Sequence, residues 1–386
     1  MDSPVLYNLY PKPLLKWTVI SLYFIFLLSA GVFAYKRPHY NWDMLPYMAL
    51  VLRQDVSGFD KVHQLTYRIA RENLPSDDYN YFVQGEYRKN LNENPTAFYN
   101  TLPFYAVKPL YIQATYLFYK TGFSLPAATV MPSILFYILT GLLMLYWLTK
   151  YLNLFWSFAA GILIMAFGFM ISLARLSSPD SMSTFFLLAA IFFIMERHSV
   201  IWMSVFLLLS LFTRLDNIIP CVVIPGFLFF TGRYQMKIKL NQFLALLAIL
   251  TVSYFGIVVV TMKPFGWGLF YYPTFMRNLD QFHTSQAVFS LNEYLIVAIT
   301  GAKRAIEFYN FIPFLFIFLL IIYTPGIRFK VLDDDKSLAA LLMLIILFRF
   351  ILYPDLSDRF NAAYYLTFML ILVKKIVNLS GRVQPV

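Results

Sequence analysis

Four short patches place ionisable side chains at the edges of long apolar runs. The first is Asn41-Trp42-Asp43, just before the apolar stretch that starts at Met44. The second is Arg175-Leu176-Ser177-Ser178-Pro179-Asp180-Ser181, the third Arg214-Leu215-Asp216-Asn217, and the fourth runs from Arg349 through Asp355 and Asp358 to Arg359. A carboxylate at such a boundary is partly desolvated yet able to keep its charge, which suits a general base. Arginine matches phosphate oxygens two at a time, and each charge-assisted hydrogen bond contributes about 1.5–3 kcal/mol net. The combination predicts chemistry in which a carboxylate removes a hydroxyl proton while cations hold a phosphate. Asp43 is the candidate base and Asp180 a second catalytic acid. Arg214, Arg349 and Arg359 are candidate phosphate ligands, with Trp42, Asp216 and Asp358 positioning the substrate.

Each patch also has a plainer local reading. Asp43 could cap the helix whose first turn holds Pro46, and Asp180 could close a turn. Arg214 and Asp216 could satisfy only each other. Arg349, one turn below the end of its apolar run, could snorkel to the membrane surface.

The elements that must carry these patches are set by composition. The chain has 386 residues, 60% of them apolar and 13% charged, half the charge of an ordinary soluble domain. The apolar residues gather in stretches near the length needed to cross about 30 Å of hydrocarbon as helix, which excludes a soluble enzyme and a β-barrel. Runs at 14–35, 125–148, 153–174, 180–196, 199–213, 217–231, 241–262, 308–324, 337–353 and 360–376 predict ten crossings in one all-α membrane domain over 1–386. Residues 36–124 and 263–307 are then the two large loops on one side. Pro103 to Tyr119 is apolar enough to cross but holds Lys108, Pro109 and Gln113 among tyrosines, as an interfacial helix would.

Charge sets the orientation. With Pro103–Tyr119 on the surface, one side collects Lys16, Lys150, Arg233, Lys237, Lys336 and Lys374 among many cations, and the short connections opposite hold only Arg175, Arg214, Arg349 and Arg359. The positive-inside rule puts the first side in the cytoplasm and both large loops outside. The net excess of 11 positive charges therefore reflects cytoplasmic loops facing anionic lipid, and no nucleic-acid partner is expected.

Other chemistries lack their residues. The four histidines, His39, His63, His198 and His283, are scattered, and no Gly-rich phosphate loop or Ser/His/Asp arrangement is readable. No cofactor is required, although Mg²⁺ or Mn²⁺ held by oxygen ligands needs no fixed spacing and stays open. Cys221, the one cysteine, has no partner for an internal disulfide.

The layout resembles the GT-C class of polyprenyl-phosphate-sugar-dependent glycosyltransferases, which includes the lipid A aminoarabinose transferase and the protein O-mannosyltransferases. The resemblance rests on one anchor, a long first loop with Asp43 near its start, an Arg175-to-Pro179-Asp180 connection and a second large outer loop. It differs in that Met44 follows Asp43 where an adjacent acidic pair is common in protein O-mannosyltransferases. The resemblance implies transfer of a sugar from a polyprenyl-phosphate lipid to a glycan, lipid or protein acceptor in the cell envelope. It places the enzyme in a bacterial inner membrane, with the site facing the periplasm or exterior. Trp42, Tyr79, Tyr81 and Trp267 could stack on sugar rings. The competing expectations are a transporter or lipid-linked glycan flippase, with polar breaks near the membrane midplane, and an O-antigen ligase-like enzyme using a diphosphate lipid.

Overall fold

The computed structural model describes residues 13–262, 290–324 and 333–380, and among these all regular structure is helical. Helix α1 (Pro13–Lys36) is apolar on all sides, so it has no solvent face to offer. It lies against α9 (Leu125–Leu148), where Gly141 leaves room for Leu27, and Tyr23 Oη donates to the Gly141 carbonyl at 3.1 Å. A small residue at a helix crossing lets two backbones approach closely where lipid supplies no hydrophobic drive.

Between these two helices the first loop folds into seven helices: α2 (Met44–Leu52), α3 (Phe59–Asn73), α4 (Ser76–Val83), α5 (Glu86–Glu93), α6 (Pro95–Thr101), α7 (Pro103–Ala106) and α8 (Pro109–Lys120). Prolines at the first turns of α6, α7 and α8 and the Asn94 side chain, which accepts from Thr96 N and Ala97 N, set their starts. The stretch 103–119 is therefore broken by Lys108, and α8, rising about 18 Å, is too short to cross. Helix α2 is buried along its whole length, and with Val62, Phe82, Leu91, Phe98 and Tyr111 it forms a second apolar core.

The remaining helices are α10 (Leu154–Met165), α11 (Gly168–Arg175), α12 (Asp180–Phe192), α13 (Val200–Thr213), α14 (Ile218–Thr231), α15 (Leu240–Met262), α16 (Leu291–Glu307), α17 (Phe311–Tyr323), α18 (Asp334–Leu352) and α19 (Asp358–Ser380). Among the described residues four helices, α1, α9, α15 and α19, are long and apolar enough to cross a membrane. The number rises to six if α10 with α11, bent by 63°, and α16 with α17, bent by 79°, each count as one span. Several apolar helices of crossing length are what a multi-pass membrane protein requires. The helices in 180–231 are apolar but shorter, α13 rising only about 21 Å. The second predicted loop divides: residues 263–289, with Trp267 and His283, lie outside the described residues, and 291–307 is helical.

The turns after α1, α11, α13 and α18 meet at one end of the bundle, where their residues line one cavity. Arg175 stitches two of them: His39 N donates to its carbonyl (2.8 Å), and its Nε donates to the Arg37 carbonyl (2.5 Å). Ser133 of α9 shares its hydroxyl between the carbonyls of Leu176 and Ser178, and Ser181 donates back to the Ser133 carbonyl. Asn217 fastens the next turn by donating to Ser183 Oγ (2.8 Å) and the Ser210 carbonyl (2.9 Å).

At the opposite end the charges are paired for structure. Lys374 meets Asp335 at 2.9 Å, Lys375 meets Asp333 at 2.7 Å and Arg233 meets Asp334 at 3.1 Å. Lys336 Nζ donates to the carbonyls of Ile322 and Thr324, satisfying the end of α17.

Candidate active site

The turns at the first end enclose a cavity of about 260 Å³. Asp43, Asp180, Arg214, Asp216, Arg349 and Arg359 all line it. Local structure explains why each side chain is available. Asp43 holds the N-cap position of α2 but makes no capping hydrogen bond, so its carboxylate is left to meet other side chains. Asn41 Nδ2 donates to Asp43 Oδ2 (3.1 Å) and Tyr105 Oη to Oδ1 (3.3 Å).

Asp180 opens α12 and is 1% exposed. Its carboxylate accepts from Ser178 Oγ (2.7 Å) and from Arg214 Nη1. Arg214 is the centre of an ion-pair network: Nε and Nη2 donate to the two oxygens of Asp216 at 3.0 and 3.1 Å. Burial opposes the charge of Arg214, and Asp216 and Asp180 more than offset it, so the guanidinium stays ionised above its usual range. Burial also opposes ionisation of Asp216, but Arg214 and Arg349 together hold its carboxyl well below the usual carboxylate range.

Arg349 does not snorkel. It is 6% exposed and points into the cavity, where Nη1 donates to the Phe360 carbonyl (3.1 Å) and Nε lies 3.2 Å from Asp216 Oδ2. That last contact is out of hydrogen-bond alignment, and Nε and Nη2 have no hydrogen-bond partner within the protein. Arg359 is the least committed cation, with Nη1 3.8 Å from Asp43 Oδ2 and 3.9 Å from Asp180 Oδ2. The three guanidiniums converge on one ring: those of Arg214, Arg349 and Arg359 sit 4.3, 4.2 and 4.6 Å from the centroid of Phe360. An aromatic face attracts each cation.

Two residues expected at the site face elsewhere. Asp358 turns away from the cavity and accepts from Asn310 N (2.8 Å) and Nδ2 (2.6 Å), because adjacent helical residues point about 100° apart and Arg359 takes the inward direction. Trp42 stands behind the cavity wall, packed on Tyr87 and Tyr105 at 6.1 Å each, so it buttresses Tyr105 rather than offering its face to a ligand. Tyr81 lies under the Arg88 guanidinium at 4.0 Å, and Tyr79 packs against the first-loop core.

The cavity also contains a cation that sequence reasoning missed. Lys108, at the break between α7 and α8, donates to Tyr47 Oη (2.7 Å) and lies about 5 Å from the rings of Tyr47 and Tyr105. Burial pushes its ammonium down to about 8 against the opposing pull of Asp43. The only local signal was a lysine set among tyrosines, which also fits an ordinary interfacial helix. Burial raises the hydroxyls of Tyr47 and Tyr105 well above their usual range, so both remain protonated donors.

With Lys108, Arg214, Arg349 and Arg359 against Asp43, Asp180 and Asp216, the lining carries one uncompensated positive charge. Among the described residues no group of three or more His, Cys, Asp or Glu side chains is placed to hold a metal ion. Asp180 and Asp216 are engaged by guanidiniums, and Asp43 by the Asn41 amide and the Tyr105 hydroxyl. No family model, curated protein or solved structure matches this chain.

Proposed function

We propose that the protein is a membrane glycosyltransferase that moves a sugar from a polyprenyl-phosphate donor to a hydroxyl of a glycan, lipid or protein acceptor. The observation that carries the reading is the convergence of Asp43, Asp180, Lys108 and three arginines, from five separate stretches of chain, on one cavity with a net positive lining. A transporter would instead place its polar groups near the membrane midplane.

Asp43 takes the proton of the acceptor hydroxyl as that oxygen bonds to the anomeric carbon. The bond from that carbon to the phosphate oxygen breaks, and its electron pair leaves with the lipid phosphate. Direct displacement inverts the anomeric centre. The departing phosphate goes from one negative charge to two while Asp43 becomes neutral, so the total charge in the cavity is unchanged. Arg359, with no hydrogen bond to either neighbouring carboxylate, and Lys108, bonded only to the neutral hydroxyl of Tyr47, are assigned to the phosphate. Preorganised donors of this kind are worth about 2.7–4 kcal/mol each in the transition state. Arg214 and Arg349 hold Asp180 and Asp216 in place and contribute field.

In this reading the cavity faces the extracytoplasmic side of a bacterial inner membrane in a GT-C-like arrangement of about ten crossings, and the bias of cations toward the opposite loops supports that facing. The lipid tail would lie in the surrounding membrane. The test is to incubate purified protein with labelled polyprenyl-phosphate sugars and an envelope extract. Transfer by the wild type, and its loss with donor binding retained in Asp43→Asn, is the expected result. Full activity of Asp43→Asn would move the base elsewhere.

A further inference from the structure

Asp216 takes both parallel donors of Arg214. A guanidinium that offers two parallel donors is the usual partner of a phosphate, yet here Arg214 gives both to Asp216, whose Oδ2 is also 3.2 Å from Arg349 Nε. The lining is left with one unbalanced positive charge. A sugar ester of a lipid monophosphate is a phosphodiester with one negative charge, whereas the corresponding diphosphate carries two.

The geometry points to Asp216 as a specificity-determining residue that fills the cleft between Arg214 and Arg349, so that the cavity admits a single-phosphate donor and disfavours a diphosphate. The inference rests on the reading of the cavity as a lipid-phosphate-sugar site and narrows it. The second charge of a diphosphate would meet the carboxylates of Asp216 and Asp180, which already face Arg214 and Arg349, and such like-charge juxtaposition is how a site rejects a near relative of its ligand. Neutralising Asp216 would release both donors of Arg214 and leave the unbonded Nε and Nη2 of Arg349 beside them, a two-arginine cleft fit for a second phosphate.

The test compares two probes on the full-length protein in detergent: methyl farnesyl phosphate, with one charge, and the methyl farnesyl diester of diphosphate, with two. Wild type should bind the first at least about tenfold more tightly, a difference of about 1.4 kcal/mol, and Asp216→Asn should erase or reverse that ratio. Asp216→Glu, which keeps the charge, should retain the preference. Equal or tighter binding of the diphosphate ester by wild type overturns the proposal whether or not any variant folds. An unchanged ratio in Asp216→Asn, or an Asp216→Glu ratio like that of Asn, overturns it too while leaving the lipid-phosphate reading intact. Failure of wild type to bind either probe removes that reading and this inference with it.

Discussion

Arg359 lies between two carboxylates without a hydrogen bond to either, 3.8 Å from Asp43 Oδ2 and 3.9 Å from Asp180 Oδ2. It bridges the first loop to the start of α12 while keeping its donors available. Such a residue should matter to ligand binding far more than to folding.

Arg359→Ala should therefore lower transfer by about 100-fold or more, in line with loss of one preorganised donor. Thermal stability should fall by no more than about 1 kcal/mol, as for an ion pair left partly solvated. Arg359→Lys should recover little, because a point charge cannot make two parallel bonds. Rates and detergent-phase melting curves on the same preparations separate the two effects; a collapse of stability would make Arg359 structural.

Lys108 predicts an alkaline limb. With its ammonium at about 8, affinity for a short-chain lipid phosphate should weaken as pH rises through 8. Lys108→Arg should flatten that profile. Stability moves the other way: between about 8 and the ordinary lysine value the unfolded chain holds a proton that the folded chain has lost, so this group adds stability as pH rises through that window. Titrations of affinity and of melting temperature should therefore slope in opposite directions, and parallel slopes would remove Lys108 from the site.

Gly301 touches the far wall. A Cβ at this position would collide with the Pro354 carbonyl, in the segment that carries Tyr353 to the cavity. Gly301→Ala should cost about 1–3 kcal/mol and displace that segment, with reduced ligand affinity as the readout. Wild-type affinity and stability in this variant would show that α16 does not brace the wall.

Orientation is open to a chemical test. The native thiol of Cys221 is buried, so single cysteines can be introduced without removing it. A membrane-impermeant thiol reagent applied to intact spheroplasts should label Lys89→Cys in the first loop and spare Lys237→Cys. The reverse pattern would invert the map.

The helices were legible because apolar run length and bounding Pro, Gly and charge are local properties. The predicted runs at 125–148, 199–213 and 217–231 correspond to α9, α13 and α14. The meeting of Asp43, Asp180, Arg214, Arg349 and Arg359 could be anticipated only through alternation of helix direction, which carries every second turn to the same end. Lys108 escaped because its bond to Tyr47 spans 61 positions of chain and leaves no local spacing to read. Phe360 was overlooked for a similar reason: nothing about a phenylalanine beside Arg359 announces that two more guanidiniums will reach its ring. Asp358 was misplaced because proximity in sequence says little about direction on a helix.

The contact between Asp216 and Arg349 also sets an order of events during synthesis. Arg214 and Asp180 leave the ribosome close together and can neutralise each other early, but Arg349 and Arg359 follow more than a hundred residues later. At roughly 5–20 residues per second that delay is on the order of ten seconds. For that interval the nascent chain holds an acidic cleft without its last wall, and docking of α18 and α19 is the step that completes it.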